Sequence, residues 1–184
     1  MALVPNKKPA KSLPESIPIS KETRAIIKRQ TGKDYKMSHE LPSKLNLSWR
    51  RDLVDVSALG SVQYLDLSNC TSITDVNTLR NVQELNLRGC IGVTDVSALG
   101  NVKVLWLCRC TGVTDVSALG NVQKLNLAHC TSITDVSALS RVQELNLWGC
   151  TGVTDVSALS SVRKLDLSRC PGIIDFSAVP QAHH

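Results

Sequence analysis

The sequence predicts a solenoid, a stack of similar coils in which each coil adds one strand to a parallel sheet and one short return outside it. The first observation is a period. The unit Val82 to Asn101, VQELNLRGCIGVTDVSALGN, recurs every twenty residues, so that Val62, Val102, Val122, Val142 and Val162 fall on Val82. Leu65, Leu85, Leu105, Leu125, Leu145 and Leu165 align in the same way, as do Leu67 to Leu167 two residues later. A repeat of this length buries its apolar side only against its neighbours. The second observation is the alternation L-x-L, and the third is the tail D-V-S-A-L, too short for an α-helix.

Each part of the unit follows from its residues. Alternation puts Leu85 and Leu87 on one face of a strand and Asn86 on the other. Val93, Val96 and Leu99 keep no period of two, and Gly92 and Asp95 bend the chain between them. Asp95 precedes V-S-A-L, where a short carboxylate accepts hydrogen bonds from the exposed N–H groups of a helical turn. Four residues cannot repay the nucleation of an α-helix, so a turn or a piece of 3₁₀ helix is expected.

In chain order, residues 1–19 hold Pro5, Pro9, Pro14 and Pro18 among lysines and serines, the composition of a flexible extended arm. Residues 20–41 are expected to form a cap helix and linker, with Ser20 as N-cap, Gly32 as stop, and Ile26 and Ile27 covering the first coil's apolar edge. The rival reading is a basic helix for an anionic surface, through Lys21, Arg24, Lys28 and Arg29. Residues 42–182 make seven twenty-residue repeats. The first is degenerate, with Pro42 for the valine and Arg50 for the cysteine, and the last varies at Phe176, Val179 and Pro180. Gln181-Ala182-His183-His184 reads as a tail and supplies no separate cap, which leaves either self-association or a longer chain to cover that end.

The formal charge of +5 divides unevenly. Residues 1–40 carry nine basic and four acidic side chains, whereas the remainder carry twelve of each. A nucleic acid or anionic surface is therefore expected only through the arm. The first residues hold no apolar run of signal-peptide length, and no stretch is long enough to span a bilayer. Seven cysteines are present, six of them in one column: Cys70, Cys90, Cys110, Cys130, Cys150 and Cys170. Small reduced thiols buried in a ladder are expected, which places the chain in the cytoplasm. No Cys-x-x-Cys or His spacing suggests a metal, and no cofactor motif occurs. Cys108 stands off the column near Arg88 and Arg109, the setting of a reactive thiol.

The pattern L-x-x-L-x-L-x-x-C-x-x-(I/V) resembles the leucine-rich repeat in its cysteine-containing variety. The following T-D-V-S-A-L-G-N is similar to the return segments of internalin-like and protein-phosphatase-regulator-like repeats. The resemblance covers 41–182, and such units are similar to ones in protists and giant DNA viruses. It implies an α/β-type leucine-rich repeat solenoid with a parallel inner β-sheet, short turns or 3₁₀ pieces outside, and a shallow arc. Leu13-Pro14 and Leu41-Pro42 resemble the opening of an F-box, which would imply a substrate-recognition adaptor of a ubiquitin ligase.

The units differ mainly on one face. One outward column reads Lys44, Tyr64, Glu84, Val104, Lys124, Glu144, Lys164, and the next reads Asn46, Asp66, Asn86, Trp106, Asn126, Asn146, Asp166. A third runs Ser48, Ser68, Arg88, Cys108, Ala128, Trp148, Ser168, beside Trp49, Asn69, Gly89, Arg109, His129, Gly149, Arg169. Lys124, Glu144 and Lys164 are expected to pair across strands, the Asn column to form an amide ladder, and His129, which has no Ser or Cys partner identifiable by spacing, to be a surface histidine. The aromatics need another explanation, since no core position requires them. Tyr64, Arg88, Val104, Trp106, Arg109 and Trp148 are the expected partner-binding residues, with Trp106 and Trp148 two rungs, about 10 Å, apart. No paired acid and base, activated nucleophile or phosphate loop is evident, so an enzyme is not expected. The expected function is a protein-protein interaction module. The alternatives are a self-assembling structural protein that oligomerises through its C-terminal edge, and the ubiquitin-ligase adaptor.

Overall fold

A computed structural model describes residues 16–183. Three-residue strands recur at the sequence period: β1 (Lys44–Asn46), β2 (Tyr64–Asp66), β3 (Glu84–Asn86), β4 (Val104–Trp106), β5 (Lys124–Asn126), β6 (Glu144–Asn146) and β7 (Lys164–Asp166). They form one open parallel sheet in sequential order, in a register that pairs Leu45 with Leu65, Leu65 with Leu85 and so on to Leu165. Backbone pairing runs past the strands, with Leu47 N–H donating to the Asp66 carbonyl at 2.7 Å and Trp49 N–H to that of Ser68 at 2.8 Å. The returns are 3₁₀ turns, such as Ser97–Asn101 and Ser117–Asn121. Between sheet and turns lie the leucine, valine and cysteine columns, buried from one end to the other.

The expected aspartate caps form in coil after coil. Oδ1 of Asp55, Asp75, Asp95, Asp115, Asp135, Asp155 and Asp175 accepts the N–H two residues on, at 2.8–2.9 Å. This bond to Ser97 N–H holds the Asp95 carboxyl below its ordinary value of 3.8, and the same holds at Asp115, Asp135, Asp155 and Asp175. The thiol ladder forms as well, with each Sγ from Cys70 to Cys170 donating to the carbonyl 23 residues earlier at 3.0–3.1 Å. Burial pushes the Cys90, Cys130 and Cys150 thiols up to about 12, and Cys110 upward too. A high thiol value means almost no thiolate near neutrality. Cys108, off the ladder, is half-buried.

The two ends of the stack differ. Helix α1 (Lys21–Thr31) starts on Ser20, whose hydroxyl accepts Thr23 N–H, and ends at Gly32 with φ +75°. Ile26 and Ile27 join the buried cluster, and Thr23 Oγ1 donates to the Asp55 carbonyl at 2.8 Å, so the helix lies on the first coil. Arg50, in the cysteine column of that coil, reaches Gln30 on the helix through Nη2. The expectation for residues 1–19 falls mostly outside the described residues. Its last positions are ordered, since Ile19 is buried and Pro18 bridges Met37. At the other end the expected tail is a rung. His183 N–H donates to the Leu165 carbonyl at 2.9 Å and the His183 carbonyl accepts Leu167 N–H at 2.7 Å, so residues 181–183 occupy the place of an eighth strand. Gln181 Nε2 fixes them to the Val162 carbonyl at 3.0 Å.

Three outcomes are expected. Ile27→Ala removes a fully buried side chain from the cover of the first coil and should destabilise by about 2–5 kcal/mol. An unchanged urea midpoint would show that α1 does not cap the stack. Because the Asp caps have lowered folded values, the unfolded chain binds protons first. Their contribution is complete above the ordinary value of 3.8 and is lost as pH falls through the lower folded values. The urea midpoint should therefore be level from neutrality to about pH 5 and fall below about pH 4, less steeply in the triple variant Asp95→Asn, Asp115→Asn, Asp135→Asn. An equally steep fall in that variant would rule the caps out as the cause. In native protein a thiol reagent should modify Cys108 before any ladder cysteine, and mass mapping that finds Cys110 or Cys130 modified as fast would contradict the buried ladder.

Candidate functional site

The open sheet face is built from a strand followed by two local turns. After each strand the chain turns through a left-handed residue: Trp49, Asn69, Gly89, Arg109, His129, Gly149 and Arg169 all have φ between 60° and 71°. Glycine and asparagine adopt this region readily, whereas other residues do so at roughly 1–2 kcal/mol. Asn69, Gly89 and Gly149 carry that signal in the sequence. Trp49, Arg109, His129 and Arg169 do not favour the backbone they adopt.

The preceding Asn/Asp column shapes the same turn. Asn46, Asp66, Asn86, Asn126, Asn146 and Asp166 each accept, through Oδ1, the N–H two residues on at 2.8–3.0 Å. The expected amide ladder is therefore mostly absent. Side chains of this column meet across strands only at Asn46–Asp66 (3.5 Å) and Asn146–Asp166 (3.2 Å) among the described residues. The carbonyl oxygen prefers the nearby backbone donor to an amide one rung away.

Strand β4 breaks the pattern. Trp106 occupies the Asn position, and an indole has no oxygen with which to cap Cys108 N–H. Trp106 as a whole is 37% exposed. Three shallow hollows meet at it. One, of about 420 Å³, is lined by Lys44, Tyr64, Asp66, Glu84 and Asn86. A second, of about 350 Å³, is bounded by Arg88, Cys108 and Asn126. The largest, of about 500 Å³, runs over Val104, Lys124, Glu144, Lys164 and Asp166 to His183. The structure thus gathers Tyr64, Arg88 and Val104 around Trp106. Beside them Glu144 bridges Lys124 at 3.2 Å and Lys164 at 2.9 Å, as expected, and the Lys164 bond is the main reason its carboxyl lies below the ordinary range.

Arg109 and Trp148 stand apart from that cluster. Trp148 is half-buried and lines none of the three hollows. His129 meets it edge-on, with centroids 4.2 Å apart, and the Arg169 guanidinium lies 5.1 Å above its ring. His129 has its place because Gly149 lacks a Cβ, which would fall 2.9 Å from His129 Nδ1. His129 is partly exposed, as a surface histidine would be, and its neighbour is an aromatic ring. His129, Trp148 and Arg169 form a ridge along the C-terminal ends of the strands, continued by exposed Arg109. Sequence columns could not show this pair, because the contact joins neighbouring columns through the space above a glycine.

No family model and no curated protein sequence matches the chain. Among solved structures, an internalin, inlF, from Listeria monocytogenes aligns over 80% of this chain and 49% of its own, at 24% identity and a TM-score of 0.63. The fold is that of the internalin leucine-rich repeat solenoid. Internalin C2 from the same organism aligns over 93% of this chain and 95% of its own, at 20% identity and a TM-score of 0.52. The chain spans about half the length of the inlF structure, and at these identities the likeness is one of fold. Among the described residues no group of three His, Cys, Asp or Glu side chains is placed to hold a metal, and no helix is long and apolar enough to cross a membrane.

Proposed function

We propose that the chain is a non-enzymatic protein-binding module whose inner sheet face, centred on Trp106, receives the partner. One observation carries this reading. Six strands end in an Asn or Asp that caps the following turn, and β4 gives up that cap for a ring left partly in water. The exchange is unfavourable to the fold, and an exposed aromatic with arginine beside it is the common composition of an interface anchor. Val104 and Tyr64 extend the apolar ground, Arg88 borders it, and Arg109 and Trp148 form its outer rim.

A cytoplasmic setting is supported by ladder thiols that act as hydrogen-bond donors to backbone carbonyls, a role open only to the reduced form. A second reading, self-association through the C-terminal edge, is favoured by Ile174, which is 95% exposed on the last coil. Rising scattering mass with concentration, lost in Ile174→Thr, would support it. The adaptor reading draws only on Leu41-Pro42, since Leu13-Pro14 lies outside the described residues.

Trp106→Asn tests the main reading. The variant restores the missing acceptor for Cys108 N–H, so stability should hold or rise by about 0.5–1.5 kcal/mol. Capture of the partner from native cell extract should fall roughly thirtyfold in affinity, as for loss of an aromatic anchor of about 2 kcal/mol. Ser117→Lys, on an outer turn, should leave capture unchanged. Normal binding by Trp106→Asn would remove the inner face from consideration.

A further inference from the structure

We infer, building on the protein-binding reading above, that the segment received is acidic, with carboxylates set to meet Arg88, Arg109 and Arg169. The equal count of basic and acidic side chains in the repeats conceals a segregation. Asp55, Asp75, Asp95, Asp115, Asp135 and Asp155 stand at the 3₁₀ turns and Asp175 at the matching turn of the last coil, away from the sheet face, where their oxygens cap backbone N–H groups. The sheet side carries fewer carboxylates, Asp66, Glu84, Glu144 and Asp166, and none of them is paired with its arginines.

The ion pairs among the described residues lie elsewhere. Glu144 is shared by Lys124 and Lys164, Asp34 holds Arg24, and Asp52 meets Arg29. Asp66 and Asp166, the sheet-face aspartates, already accept both an N–H and an asparagine amide. No carboxylate among the described residues lies within 4.0 Å of the charged groups of Arg88, Arg109 or Arg169. Arg109 and Arg169 hold left-handed backbone positions, φ 64° and 61°, that Gly89 and Gly149 fill elsewhere. Arg169 is further ordered over the Trp148 ring, which lowers the entropy lost when it meets a carboxylate.

Geometry sets the pattern of the segment. Arg109 and Arg169 are three rungs apart, about 14 Å at the usual strand spacing, and an extended chain covers that in about four residues. Carboxylates at i and i+4 point to the same side of such a chain and reach both guanidiniums, while an apolar residue nearby can reach Trp106. A protein segment fits this better than a nucleic acid strand. Asp66, Glu84, Glu144 and Asp166 lie on the sheet floor, where they repel an unbroken polyanion yet leave room for spaced carboxylates.

A displayed library of random ten-residue peptides, panned on the full chain, tests the inference. Asp and Glu four residues apart should be enriched. The selected peptides should bind at least tenfold more weakly to the double variant Arg109→Gln, Arg169→Gln, and more weakly in 0.5 M salt, with the melting temperature unchanged. Arg80→Gln with Arg141→Gln, on outer turns, should bind as wild type. No acidic enrichment, binding indifferent to the ridge arginines, or tighter binding of a ten-residue oligothymidylate would each overturn it. The native partner separates the two claims. Loss of capture by Trp106→Asn with full capture by the arginine variant sinks this inference alone, whereas full capture by Trp106→Asn sinks the reading beneath it.

Discussion

A coil of twenty residues has no interior of its own, and the structure follows from that constraint. Its leucines are dry only because another coil lies on either side. Its strand N–H and C=O groups are satisfied only by the rungs above and below, in the register that keeps Leu85 between Leu65 and Leu105. The thiol ladder adds a third tie between coils, since Cys90 Sγ reaches back to the Leu67 carbonyl. Every coil in the middle is held from both sides, and each end coil has one side open. At the first coil α1 with its isoleucines covers the open side, whereas beyond β7 the His183 rung adds one more pairing of the same kind.

What closes each coil laterally is local. The Asp95-type cap and the Asn86-type cap both join a side-chain oxygen to the N–H two residues on, one at each corner of the coil. Because the corners are set by their own residues, the exposed side chains between them carry little of the fold. The sheet face can vary without disturbing the stack, and the variation among units is concentrated there.

How far the sequence discloses this depends on whether a contact leaves a side-chain signature. The buried columns, the parallel strands, the 3₁₀ returns and the Asp caps all do, since burial demands apolar residues and capping demands short oxygens. The Asn column is ambiguous because the Asn126 side-chain oxygen has both an amide donor one rung away, on Asn146, and a backbone donor two residues on, and either can satisfy it. The His183 rung leaves no signature at all, being made by backbone groups that any residue supplies. Of the candidate site, the grouping of Tyr64, Arg88 and Val104 about Trp106 follows from strand alternation alone. The His129–Trp148 pair does not, because it needs the left-handed turn at Gly149 and the empty volume above it.

An array of near-copies also supplies its own reference for cost. Where a unit departs from its neighbours, the neighbours show what the fold alone prefers at that position. On the outer side, Asn77 and Arg80 depart from Ser and Gly with no loss of a cap or a strained dihedral, for Asn77 N–H still meets Asp75. On the sheet side the departures are unfavourable. Trp106 removes an acceptor, and Trp49, Arg109, His129 and Arg169 place branched or bulky side chains on left-handed backbone. None of these changes gains core packing, since Trp49, Trp106, Arg109 and Arg169 are exposed and His129 is half-exposed. Residues that weaken the fold, gather on one face and bury nothing are accounted for by what that face meets.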